Sequence, residues 1–210
     1  MRRLLLAFAC LPLLPGCAEM RAPAAMQRVP PVLAAGSADP VVDAVGQAAL
    51  AFADAGRSLA GNPAATARAT AQVEVLAVEF ARDPRWAPLP SSVGFAMAGA
   101  RTELRAALGT RANADPDAVA RALAAAHAAL LRGDNAAAAA ALPATLFEPG
   151  GNVVVARLAQ PGPLSQTQIA TARARDAVEG LVRAQRGGIA AALDPSGGWG
   201  NPIPGALSQR

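Results

Sequence analysis

Two cap-and-proline signals, Asp39-Pro40 and Asn62-Pro63, commit the middle of this chain to a pair of antiparallel helices. A side-chain oxygen accepts a free N–H of the first turn. The proline that follows lacks only an N–H that a first turn leaves unused, so the pair starts a helix. After the first signal, Val42, Val45, Ala49, Phe52, Gly56 and Leu59 recur at alternating spacings of three and four, which puts all six on one face. Gly56 would let a neighbouring helix approach closely, and Gly61 ends the run. The second helix carries Ala65, Ala69, Val73, Leu76 and Phe80, with Arg68, Gln72, Glu79 and Arg82 mostly off that stripe, and stops at Asp83-Pro84-Arg85. Residues 40–83 therefore predict an αα-hairpin, with a loop from Trp86 to Pro90.

The same logic extends down the chain. Pro90-Ser91-Ser92 opens a third helix with Val93, Met97, Ala100, Leu104 and Leu108 on one side and Gly109 at its end. Asn113–Pro116 caps a fourth, with Val119, Leu123, Ala126 and Leu130. Arg132-Gly133-Asp134 is a turn before a short alanine helix over 135–142. That turn is similar to a tetratricopeptide helix turn, but no repeat period accompanies it, so an ordinary helical hairpin is expected. Gly150-Gly151 precedes Val153-Val154-Val155, a β-branched run that reads as a short strand or buried extended segment. Ser165 caps a sixth helix to about Arg186, with Gln168 at the capping-box position and Arg175–Glu179 and Glu179–Arg183 as surface pairs. The expected fold is all-α: a bundle of five or six helices over residues 40–186, built from αα-hairpins, with a flexible tether at 17–39 and a Gly/Pro-rich tail at 187–210.

Upstream of the bundle, Met1-Arg2-Arg3 is a short positive segment and Leu4–Leu14 an apolar run of 11 residues, too short to span a bilayer. The run closes on Leu14-Pro15-Gly16-Cys17. This stretch resembles the lipobox of bacterial lipoproteins, with Pro15 where Ala, Ser or Thr is usual. The resemblance covers residues 1–17 alone. It implies cleavage between Gly16 and Cys17, removal of a signal peptide at 1–16 and acylation of Cys17. Two or three acyl chains anchor a protein stably where one does not. Ala18 stands where an Asp would resemble an inner-membrane retention signal, so the implied location is the inner leaflet of the outer membrane, facing the periplasm.

Composition narrows the function. All 19 Lys+Arg residues are arginine and there is no tyrosine, so the high pI does not describe a basic patch; the net charge of +4 falls to +2 once Arg2 and Arg3 leave with the signal. No arginine cluster interleaves with aromatics, and no nucleic-acid partner is expected. Cys10 leaves as well, so Cys17 has no disulfide partner. His127 is the single histidine, beside the apolar stripe of the fourth helix. One histidine and scattered acids do not make a metal site, which commonly takes three or four ligands. No nucleophile elbow is present, and a chain without lysine cannot carry a Walker A motif. No cofactor, metal or catalytic constellation is expected.

Three residues remain as contact candidates. Arg101 and Arg105, a helical turn apart, can grip an anion, and Trp199 in its Gly/Pro setting can dock on a partner. The leading expectation is a non-enzymatic lipoprotein working through an envelope protein partner. The alternative is a bundle that binds a small hydrophobic ligand or lipid, and a third, remote one is a hydrolase using His127.

Overall fold

The computed structural model describes residues 30, 33 and 38–193, with side chains described as far as residue 187. Among the described residues there are seven α-helices: α1 (Pro40–Ala51), α2 (Pro63–Arg82), α3 (Ser91–Leu108), α4 (Pro116–Leu131), α5 (Asn135–Ala140), α6 (Gly151–Ala159) and α7 (Ser165–Leu193). The only β-type pairing among them is an isolated antiparallel bridge between Thr110 and Phe147. The all-α bundle expected from periodicity is the observed fold.

Three starts follow the cap logic. Asp39, Asn62 and Asp115 each place a side-chain oxygen on a first-turn N–H and are each followed by proline. Asp134 caps α5 in the same way. Gly109 ends α3 in the left-handed conformation at φ +74°, a geometry that glycine adopts without penalty.

α2 is the axis of the molecule. It packs most extensively on α4 and also contacts α1, α3 and α6, while α7 lies against α3 and α1. One side of α2, through Ala67, Ala71 and Val75, joins Leu108, Val119, Leu123, Leu142, Phe147, Val154 and Leu158 in one core. The opposite side, through Ala69, Val73 and Leu76, joins Val45, Phe52, Trp86, Val93, Met97, Leu104, Leu164 and Val178 in a second. Thirteen of its 20 residues are buried, as in a helix enclosed on all sides. Gln72 and Glu79, read from sequence as off the buried stripe, are therefore buried too. A stripe finds one packing face; it cannot register a second made of alanines.

The structure departs from expectation at several points. α1 ends at Ala51, not at Gly61. Ala55 (φ +60°) and Gly56 (φ +81°) are left-handed, so Gly56 serves a turn instead of a close helix contact. Carbonyls released by this unwinding are taken up by the connection to α7: the Leu164 N–H donates to Ala55 O (3.0 Å) and Gln168 Nε2 donates to Ala53 O. Residues 153–155 are not extended but form the middle of α6, where Val154 and Leu158, four apart, are buried. Ser165 is the first residue of α7 and not its cap, and α7 continues past Arg186 to Leu193, inside the stretch assigned to the tail. Finally, Leu33, in the stretch read as tether, is fully buried in the α2–α4 core.

Candidate functional site

The arginine pair is separated by the fold. Arg105 turns inward: its Nε and Nη2 donate to both oxygens of Glu74 at 2.7 and 2.8 Å, and Nη1 donates to Ala114 O at 3.1 Å. Glu74 is almost wholly buried, and burial pushes its carboxyl upward against the opposing pull of the Arg105 hydrogen bonds and charge. Arg105 is thus a structural clamp between α3, α2 and the loop before α4, and it is not available to an external anion. Sequence spacing placed the two arginines together but could not say that a carboxylate on another helix claims one of them.

Arg101 stays at the surface and makes no hydrogen bond or ion pair among the described residues. It lines an open groove of about 610 Å3. One wall is the C-terminal half of α2 (Ala77, Val78, Phe80, Arg82), the other the α3 stripe Ser91, Gly94, Phe95, Ala98 and Arg101. Trp86, Leu89 and Pro90 close one end and Pro116, at the start of α4, is at the other margin. Trp86 is buried, packed edge-on against Phe80 with ring centroids 5.4 Å apart, and capped by the Arg85 guanidinium 4.3 Å above its ring. Arg85 is held in turn by its ion pair with the α1 cap Asp39, whose carboxyl that hydrogen bond draws below its ordinary range. Phe95 stands 78% exposed on the groove wall. Arg82, like Arg101, has no hydrogen bond or ion pair among the described residues. Phe95 was missed from the sequence; the signal that could have found it is an aromatic off the Val93–Met97–Ala100 stripe in a chain with five phenylalanines.

No protein-family model matches the chain, and comparisons with curated proteins and with solved structures find no match either.

A second recess, about 400 Å3, lies at the other end of α2. His127 lines it with Gln47, Asn62, Arg68, Gln72, Leu50 and Leu131. The imidazole is buried, and its Nδ1 donates to Ala64 O at 2.9 Å, leaving Nε2 as the second ring nitrogen. A polar chain crosses the floor: Gln47 Nε2 donates to Asp43, and Gln72 Nε2 donates to Gln47 Oε1 and Leu33 O, both at 2.9 Å. Arg68 Nη2 also donates to Leu33 O at 3.2 Å. No serine or carboxylate lines this recess with His127. Leu50 and Leu131 form its lips, 72% and 67% exposed.

Glu79 is a feature that the sequence reading did not single out. It is a buried residue of α2, and its carboxyl is pushed up to about 7 by that burial, with the charges of Asp83 and Asp117 acting in the same direction and Arg85 against it. Glu103 is another: its carboxylate accepts from the backbone N–H groups of Gln166 (3.2 Å) and Thr167 (2.7 Å) and from the Thr167 hydroxyl (2.7 Å). A side chain of α3 thus caps α7. No group of three or more metal-ligating side chains occurs among the described residues, and no helix among them is long and apolar enough to cross a membrane. Gly16, Cys17 and Trp199 lie outside the described residues.

Proposed function

We propose that this chain is a membrane-anchored lipoprotein of the cell envelope, non-enzymatic, acting as an accessory subunit through contact with another envelope protein. The lipid on Cys17 supplies the membrane attachment, and the helical bundle presents the contact surface to the periplasm. The observation that carries the reading is the Leu50–Leu131 pair. Two leucines held on rigid helices, each mostly in water, flank a recess with a polar floor of Gln72, Arg68 and His127. Burying one leucine side chain is worth roughly 1.5–3 kcal/mol, and a partner side chain seated between these lips would collect that energy. The polar groups between the lips would give the same partner hydrogen-bonding positions beside the apolar contact.

The test is cross-linking in intact cells with the wild-type protein, Cys17→Ser and a Leu50→Asp/Leu131→Asp variant. A defined partner captured by the wild type, lost with the double aspartate and reduced without the anchor, is the expected result. Equal recovery from all three would reject the reading. A second reading, a bundle that binds a small hydrophobic ligand, is favoured by the groove between α2 and α3, whose volume falls within the range of small-molecule sites.

A further inference from the structure

Resting on that second reading, we propose that the α2–α3 groove is a binding site for an anionic amphiphile, a molecule with an apolar chain and a carboxylate or phosphate head. The chain would lie along Phe80, Leu89, Phe95 and Ala98, and the acid head would sit between Arg101 and Arg82.

Three independent features of the groove select this chemistry. The first is the wall. Phe80, Trp86 and Leu89 from one side and Gly94, Phe95 and Ala98 from the other form an apolar trough, and the small residues Gly94 and Ala98 leave its floor open. The nearest atom to a Cβ added at Gly94 would be the Phe80 carbonyl oxygen, at 3.8 Å, so the two helices pass close beneath the trough. The second is Phe95. It lies outside both cores and 78% of it is exposed, while the five-residue core stripe of the same helix is buried. Bundle packing gives no reason for an aromatic at this position; a ligand chain laid along the trough does.

The third feature is charge. Arg85, Arg105 and Arg175 are each matched to an acidic side chain. Arg101 and Arg82 line the groove with no hydrogen bond or ion pair among the described residues, although the charge of Arg101 also acts on the buried Glu74, and no carboxylate is among the residues that line it. Two guanidinium groups with their donors free of protein hydrogen bonds, beside an apolar trough, are complementary to an acid-headed chain, and a guanidinium pairs with either a carboxylate or a phosphate in bidentate fashion. Neutral amphiphiles would gain the trough but leave both cations unpaired. α7 lies on the far side of α3, where Ala100 and Glu103 meet Thr167, so the trough is not covered by that helix.

Trp86 supplies the readout. The chain has two tryptophans, so in a Trp199→Phe background Trp86 reports alone. The full chain carrying this substitution is placed in phosphatidylcholine vesicles and titrated with octanoate, octyl phosphate and neutral 1-octanol, with empty vesicles correcting for partition. Saturable change of Trp86 emission with one or both acids, at least about tenfold tighter than with octanol, is expected. Arg101→Gln and Arg82→Gln should each weaken the acids by about fivefold to tenfold while leaving octanol unchanged, and Phe95→Ala should weaken all three. Circular dichroism confirms that each variant is folded. The comparison of octanoate with octyl phosphate tells a carboxylate ligand from a phosphate one.

If octanol binds as tightly as the acids and Arg101→Gln changes nothing, the anionic assignment is wrong and the hydrophobic-ligand reading stands. If no probe gives a saturable response, both fall. Capture of a protein across this face that depends on Phe95, with no response to any probe, would likewise overturn the proposal.

Discussion

Arg105 and Glu74 show how burial changes what a charge is for. In water the pair would contribute little, but here Glu74 has no route to solvent and relies on two hydrogen bonds from one guanidinium. Arg105→Met should therefore destabilise the bundle by about 3–5 kcal/mol, because it leaves a buried carboxylate alone. Adding Glu74→Leu should recover most of that loss, and chemical denaturation of the two variants against wild type measures both. Glu79 behaves differently. Burial pushes its carboxyl up to about 7 from an ordinary value of 4.5, so between those values the folded state holds a proton that the unfolded chain has released. Stability contributed by this residue is full below pH 4.5 and is lost as the pH rises through 7. Glu79→Gln should raise stability at pH 8 by about 1 kcal/mol or more and change little at pH 4.5, which thermal melts at the two pH values will show.

At the scale of elements, α6 and α7 depend on partners far away in sequence. α6 starts where Gly151 meets α5: a Cβ at Gly151 would stand 1.8 Å from Ala139 O. Gly151→Ala should force α5 and α6 apart and cost more than about 2 kcal/mol, a loss large for a single methyl and specific to this contact. The valines that follow are helical because Val154 and Leu158 fall one turn apart against the α2–α4 core, where burial outweighs the modest preference of β-branched residues for strands. α7 begins under Glu103, whose carboxylate answers the free N–H groups and the positive end of the helix dipole. Glu103→Ala should cost about 1–2 kcal/mol and fray the first turn of α7, seen as faster amide exchange at Gln166 and Thr167. A capping residue 63 positions from Gln166 is invisible to any local motif, which is why Ser165 and Gln168 looked sufficient. Gln168 spends its side-chain N–H on Ala53 O instead.

On the scale of the whole molecule, the two cores share α2, so a change in that helix is felt on both sides. Leu33 is bound to the same helix: its side chain fills the α2–α4 core and its carbonyl is held by Gln72 and Arg68. Leu33→Asp should release this attachment, and limited proteolysis would then cut near residue 33 at rates at which the wild-type chain is resistant. By itself the sequence determined the helices whose starts carry a cap with proline, the turns at Gly109 and Gly133, and the all-α class, because caps and period-3.6 stripes are local and additive. It also marked Arg101 and His127 as residues to watch. Tertiary structure alone decided where α1 breaks, that 153–155 is helix, that Glu103 caps α7, and that Arg105 is spent on Glu74 while Arg101 is left to a groove. Each of these turns on a polar group or a packing face finding its partner from a distant part of the chain, and the energy of that pairing is not written in the neighbourhood of either residue.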